Sequence, residues 1–465
     1  MSTTQQPLAA PADFRGALIE PGNASYDDAR ALFNGMIDKR PALIARCTDV
    51  ADVISAVDYA RNTGLPLAIR CGGHNGAGLG SVDDGIVLDL SPMRGIRYDP
   101  RAQTVQVQGG CRWGDVDHAT HAFGRATPSG IVSTTGVGGL TLGGGIGHLS
   151  RLAGLTIDNL LSADVVLADG RLVRAAEDEN SDLFWAIRGG GGNFGVVTSF
   201  EFRTHPVHTV AAGPMLWHME TAPDLLRFYD GFMARAPEEL NGFFAFLTVP
   251  PDPAFPEHLH NIKMCGVVWC FAGDVEQADE VLADARAFAT PALDGVGPVP
   301  FPGIQSAFDG LYGQAPNGDQ WYWRADFVDG LSDEAIAAHV RMGAEMPSMQ
   351  STMHLYPIDG AVHRVGTDET AFAYRDSRWA QVIVGVDPDP AMASTLREWT
   401  ISYWEATHPY AAQGGGAYVN FLMNDDGADR VRATYGPNYD RLARIKAEYD
   451  PGNLFRVNQN IAPAS

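Results

Sequence analysis

At 465 residues the chain is long enough for two or three domains, and 45% hydrophobic with 19% charged side chains is a globular balance without wholesale disorder. A formal charge of −23 works against nucleic acid and anionic membrane as partners, because both are recognised by basic patches. The five cysteines are an odd number without metal-ligand spacing, which argues against a disulfide framework or a zinc site.

Residues 1–13 are polar and Ala/Pro-rich and lack the basic start and apolar core of a secretory signal, and no run reaches the length of a membrane span. The expected compartment is therefore the cytoplasm, with no membrane contact. From Val50 the apolar residues Val53, Ile54, Val57 and Ala60 follow the helical period, and Gly64 stands where a helix closes. Residues 65–70 read as a strand. It runs into Cys71-Gly72-Gly73-His74-Asn75-Gly76-Ala77-Gly78, where four glycines in eight residues allow a turn built around something. Short strands are expected over 85–90 and 104–108 and a helix over 112–123.

Residues 136–147 contain seven glycines in twelve positions, yet the others are Val137, Leu140, Thr141, Leu142 and Ile146. That composition predicts a packed segment and not a flexible linker. A hairpin is expected around Asp169-Gly170, and glycines 189–192 lead into a strand over 194–202. Past His205 glycine clusters thin out. Strands are expected over 243–249, 263–271, 321–328 and 381–386, and helices over 274–288, after Ser332, and over 392–406.

Gly190, Gly192 and Gly195 match G-x-G-x-x-G, but a dinucleotide fingerprint must open a helix and this one precedes a strand-like run. No G-x-x-x-x-G-K-[ST] occurs. The two remaining glycine-rich loops can cradle a pyrophosphate on backbone N–H groups without positive side chains, which suits an acidic chain. Read from the residues alone, a glycine cluster is more often an ordinary tight turn.

Arg70-x-Gly72-Gly73-His74, the Gly136–Gly147 cluster, Gly154-Leu155 with Asp158-Asn159, Asp182-Leu183-Phe184-Trp185, Asn193-Phe194-Gly195 and the C-terminal run from Tyr418-x-Asn420 to Asn458-Gln459-Asn460 occur in one order. In these the chain resembles FAD-linked oxidases of the vanillyl-alcohol oxidase type, in the group similar to berberine bridge enzyme and 6-hydroxynicotine oxidase. The resemblance implies a two-domain α+β fold: an FAD-binding domain from 1–204, an inserted substrate domain from 205–417 built on an antiparallel sheet with helices, and a C-terminal return from 418–465. It implies an oxidase that moves a hydride from an alcohol, an amine or a biosynthetic intermediate onto flavin N5, with reoxidation by molecular oxygen to peroxide. A dehydrogenase of the same fold with another electron acceptor is the alternative. Oligomeric state is left open.

The same resemblance places FAD against Arg70, Gly72, Gly73, His74, Asn75, Gly76 and Gly78; against Thr134, Thr135, Gly136, Gly138, Gly139, Gly143, Gly144 and Gly147; and against Asp158, Gly195, Val197, Asn420 and Asn458. His74 stands where relatives bond the flavin 8α-carbon. The cysteine that makes a second bond in many relatives is Val132 here, so a single link is expected, with Cys71 and Cys111 as small buried hydrophobes. Thr135 occupies a position that influences oxygen access in relatives. Gly76 and Ile146 replace tyrosines common in relatives that oxidise sugars or lignol alcohols. Tyr418, His148 and Tyr374 are the catalytic candidates, followed by His354, Tyr356 and His363. Of Trp321, Tyr322 and Trp323, alternation allows only one face to reach a ligand, and the core is the favoured place for the group.

Overall fold

The computed structural model describes residues 14–311 and 318–465. The expectation drawn from residues 1–13 lies outside them. Strands of two to ten residues assemble into three sheets. In the smallest, strands Leu43–Arg46 and Leu67–Arg70 lie parallel on either side of Ile86–Asp89, and Ala17–Ile19 closes one edge antiparallel. The crossover between the two parallel outer strands is the helix Val50–Thr63, capped by the Asp49 carboxylate on Asp52 N–H and ended by Gly64 at φ +70°, a conformation that favours glycine. A second, antiparallel sheet runs Ile96–Asp99, Thr104–Gln108, Val196–Arg203, Leu160–Val166, Leu172–Ala176. Val196–Arg203 is thus a strand, as the sequence implied when it argued against a Rossmann turn there.

The third sheet has eight antiparallel strands, with Thr209–His218, Lys263–Phe271, Leu240–Thr248, Thr352–Pro357, Trp379–Asp387 and Gln320–Val328 side by side in that order. Side chains alternate between its faces. Phe244, Phe246, Met353, Leu355 and Ile383 pack with Leu225, Tyr229, Ile336, Trp399 and Tyr403 of the helices Ala222–Met233, Asp333–Ala344 and Ala393–Thr407. The opposite face, with Trp321, Trp323, His354, Tyr356, Val382 and Val384, looks toward the glycine-rich loops. The mixed α+β architecture expected from the sequence is the one observed. We propose the division 1–204, 205–417 and 418–465, which sheet membership supports: the two smaller sheets end at Arg203 and the large one starts at Thr209.

One element differs. The helix expected over 274–288 is broken into a short 3₁₀ turn, Val275–Gln277, and two helices, Ala278–Val281 and Ala283–Phe288. Leu282 at the break has φ −96° and ψ 5° and is fully buried in the helical layer, so packing overrides helix propensity there.

Three buried cations fasten the parts together. Arg151, beside the second glycine loop, bonds Asp359 at 2.6 Å and takes the backbone carbonyls of Met233, Ala236, Pro237 and Leu240. Arg375 makes a bidentate pair with Asp158, both contacts 2.8 Å. Lys446, on the helix Tyr439–Tyr449, donates to Asp450 and to the carbonyls of Asn193 and Phe455. All three are below 4% exposed. A buried charge so fully bonded is costly to break. Lys446→Met should lose about 3–5 kcal/mol of stability, read as a fall in the urea midpoint; an unchanged midpoint would show that the C-terminal return is not held there.

Candidate active site

The two glycine-rich loops meet back to back. A Cβ on Gly72 would lie 2.4 Å from Gly136 N, and one on Gly136 would lie 2.3 Å from Gly72 N. Gly136 has φ −69° and ψ 137°, which any residue adopts, so space alone demands glycine there. Gly73, by contrast, is at φ +71° and turns the chain so that His74 faces inward. Beyond this contact lies a cavity of about 340 Å³, within the range of small-molecule sites.

His74 lines the cavity, its ring stacked on Phe33 at 4.2 Å and its Nε2 3.2 Å from Thr134 Oγ1. Burial, with the Arg112 charge behind it, pushes the imidazole down to about 3. The ring is therefore neutral at physiological pH, with a lone pair available for bonding. Arg70 ends the strand Leu67–Arg70; one amino group pairs with Asp89 at 2.8 Å, and the other, Nη1, is buried without a hydrogen-bond partner. Such an N–H group on a cavity wall is suited to an anion. Asn458 bonds the carbonyls of Gly192 and Phe455 through Nδ2 and leaves Oδ1 without a partner.

Tyr418 forms the opposite wall. Its hydroxyl oxygen accepts from Gly145 N at 2.8 Å and from Asn420 Nδ2 at 2.7 Å, and Asn420 also donates to the Leu140 carbonyl. Burial pushes the phenol up to about 12, although those donors pull it down. Both lone pairs are thus occupied and the proton is retained, which makes this hydroxyl a donor.

The sequence-expected residues divide into two groups. Arg70, Gly72, Gly73, His74, Asn75, Thr135, Gly136, Gly138, Gly139, Gly195, Val197, Tyr418, Asn420 and Asn458 line the cavity. The others stand behind it and shape it. Thr134 bonds His74. Gly76 makes room for the Trp323 ring, 2.2 Å from where a Cβ would be, and Gly78 lies against Ile37. Gly143 makes room for Asn420, Gly144 for Phe372 and Gly147 for the Ser129 carbonyl. The Asp158 carboxylate is taken by Arg375 and Leu155 N–H.

Among the catalytic candidates, Tyr374 does not line the cavity: its hydroxyl donates to Ala433 O and accepts from Gly416 N, a backbone brace. His148 is buried beside Phe243 with Nε2 lacking a partner, also off the cavity wall, and His363 is bonded to Ser377 O. His354 and Tyr356 do reach the wall, joined Nδ1 to Oη at 2.6 Å, with burial pushing the imidazole down to about 3. Trp321 and Trp323 line the cavity too, whereas Tyr322 turns away to Asp425. All three are buried in the core, as expected, and Trp321 and Trp323 form the part of it that also faces the cavity. Sequence reading missed Phe33, Thr352, Val382 and Val384, because strand alternation tells which residues share a face but not which face meets a ligand.

Val132 lines the cavity without a sulfur. Cys111 is buried as expected, whereas Cys71 is only partly covered and lines the cavity; both thiols are pushed up to about 12 by desolvation and are not thiolates. All five cysteines are free. Among the described residues no three His, Cys, Asp or Glu side chains gather as a metal site, and no helix is long and apolar enough to cross a membrane.

An FAD fits these features: N–H-bearing loops too close-packed for side chains, an unpartnered guanidinium arm, and a long apolar space ending at a neutral imidazole. Residues 41–176 match the model of an FAD binding domain, and 417–462 that of a berberine and berberine-like family. An FAD-linked oxidoreductase of Dictyostelium discoideum is 30% identical over 451 residues, 96% of this chain and 95% of its own length. The crystal structure of 6-hydroxy-D-nicotine oxidase from Arthrobacter nicotinovorans superposes with a TM-score of 0.87 at 27% identity, covering 98% of this chain and all of that one. A chitooligosaccharide oxidase structure gives 0.83 at 25%, covering 97% and 98%. The chain belongs to the FAD-linked oxidoreductases of the vanillyl-alcohol oxidase type, in the berberine bridge enzyme-like group.

Proposed function

We propose that the protein is an oxidase that holds FAD through a single covalent bond to His74 and oxidises a small organic molecule, an alcohol, an amine or a biosynthetic intermediate. Bound flavin would supply the acceptor for a substrate hydride at N5 and return the electrons to molecular oxygen as peroxide. The observation that carries the reading is the neutral, cavity-facing imidazole of His74 beside the junction of two loops that exclude a Cβ where they touch, at Gly72 and Gly136. A protonated ring could not form the bond. Thr134 fixes the ring plane through Nε2, and Phe33 holds it by stacking.

The chain's own residues then have distinct tasks. Arg70 Nη1 and the loop N–H groups would hold the phosphates, with Asn458 Oδ1 as an acceptor. Tyr418 would donate its proton to a heteroatom beside the reacting carbon, oriented by Gly145 and Asn420. With Tyr418 held protonated and His354 a weak base, no strong base lines the cavity among the described residues, which favours substrates that need no prior deprotonation, such as neutral amines. Thr135, on the wall next to Gly136, would tune oxygen access. Five free cysteines support a cytoplasmic location.

Acid-precipitated protein should stay yellow, with the flavin on the His74 peptide, and His74→Ala should release all colour to the supernatant. A colourless wild-type pellet would refute the covalent bond. Tyr418→Phe should keep the flavin but slow anaerobic reduction by about 10²–10⁴-fold, the usual worth of a positioned proton donor; an unchanged rate would return Tyr418 to a structural role. Turnover in air should yield one peroxide per substrate, and Thr135→Val should change reoxidation while sparing reduction. Fast reduction with very slow reoxidation in air would favour the dehydrogenase alternative.

A further inference from the structure

The half of the cavity formed by the large sheet has a chemistry of its own. Three strands are in register, so that Thr352, Val384 and Trp323 form one row across the face and His354 and Val382 the next. Trp323 sits on Gly76, occupying the place of any side chain there, and meets Phe421 edge-on at 6.2 Å. Phe421 in turn lies 6.2 Å from the Tyr356 ring. The result is an aromatic and aliphatic slot whose polar groups on the sheet side, among the described residues, are Thr352, the His354–Tyr356 pair and the indole N–H groups of Trp321 and Trp323.

Among the described residues the only Asp, Glu, Lys or Arg that lines the cavity is Arg70, which belongs to the glycine-loop end and is paired with Asp89. A charged ligand in the sheet half would be stripped of water without a counter-ion. An oligosaccharide would leave a row of hydroxyls against Val382, Val384 and Trp323 with too few partners, and polar groups without partners are rejected strongly. A flat ring instead matches the slot, stacking on indole and phenyl faces and offering one polar group to the pair.

We infer that the substrate is an uncharged, planar ring compound that carries, besides the heteroatom at its reacting carbon, one polar substituent hydrogen-bonded by the His354–Tyr356 pair, and that Trp323 seated on Gly76 excludes oligosaccharides. This rests on the reading of the cavity as the site of flavin-linked oxidation. It narrows that reading from any small organic molecule to one shape and charge.

Calorimetric titration of the flavin-loaded protein separates the possibilities, using 2-naphthol as the neutral ring, 2-naphthoate as its charged counterpart and cellobiose as the sugar. The 2-naphthol should bind at least about tenfold more tightly than 2-naphthoate, since the latter buries an unpaired charge, and cellobiose should give no heat of binding. Tyr356→Phe should weaken 2-naphthol about tenfold, the worth of one lost hydrogen bond. Equal affinity for 2-naphthoate, binding of cellobiose, or no binding of 2-naphthol would overturn the inference, and an unaltered affinity in Tyr356→Phe would overturn the role of the pair. Titration reads occupancy without turnover. Oxygen uptake can therefore fail, sinking the oxidase reading, while 2-naphthol still binds; and a protein that consumes oxygen with cellobiose keeps the oxidase reading and loses this one.

Discussion

The contact between Gly72 and Gly136 is the constraint on which the site depends. Two backbone segments from different parts of the chain approach until neither tolerates a Cβ. That approach sets His74 beside Thr134 and brings residues of both loops onto one cavity. A positively charged cradle would hold phosphate by attraction; in the proposed reading this acidic chain would do so with backbone dipoles, at no cost in net charge. Among the described residues the arrangement leaves a single guanidinium arm on the cavity wall, Arg70 Nη1, as the cationic contribution.

A cavity between two parts of a chain is only as well defined as their attachment. Here Arg151 and Arg375 cross the boundary in opposite directions, one reaching from the glycine loop to the carbonyls that end Ala222–Met233, the other reaching back to Asp158. Lys446 ties the C-terminal return to the loop at Asn193, and the return carries Tyr418 and Asn420. These side chains are polar, buried and almost fully bonded, so they define one relative position and resist sliding, which pure apolar contact would permit. The aromatic run Phe33, Trp321, Trp323, Phe421 then follows the cavity from His74 to Tyr418.

Much of this was legible in the chain. Val53, Val57 and Ala60 mark a real helix, Gly64 its end, and the apolar residues between the glycines of 136–147 do pack, as the helix Val137–Gly143. The loops and His74 were legible only through the motifs shared with FAD-linked relatives, since a glycine cluster with a histidine is by itself an ordinary turn as readily as a cofactor site. The substrate half was not. Trp321 and Tyr322 are adjacent in sequence and sit on opposite faces, and which face meets the cavity is decided by the helices that cover the other one. Tyr374 and Asp158 illustrate the converse: residue types suited to chemistry, carried by motifs, yet committed to Ala433, Gly416 and Arg375. Sequence offers no way to see that a partner has already taken a hydroxyl or a carboxylate.

On this proposal the close approach of the two loops makes the flavin site. The most direct test is the flavin-to-protein ratio of Gly136→Ala, a substitution whose backbone conformation is allowed and whose only fault is a methyl group 2.3 Å from Gly72 N. The account predicts a far-ultraviolet circular dichroism spectrum like that of the wild type and a ratio near zero. A variant that folds and still carries one flavin per chain would contradict it.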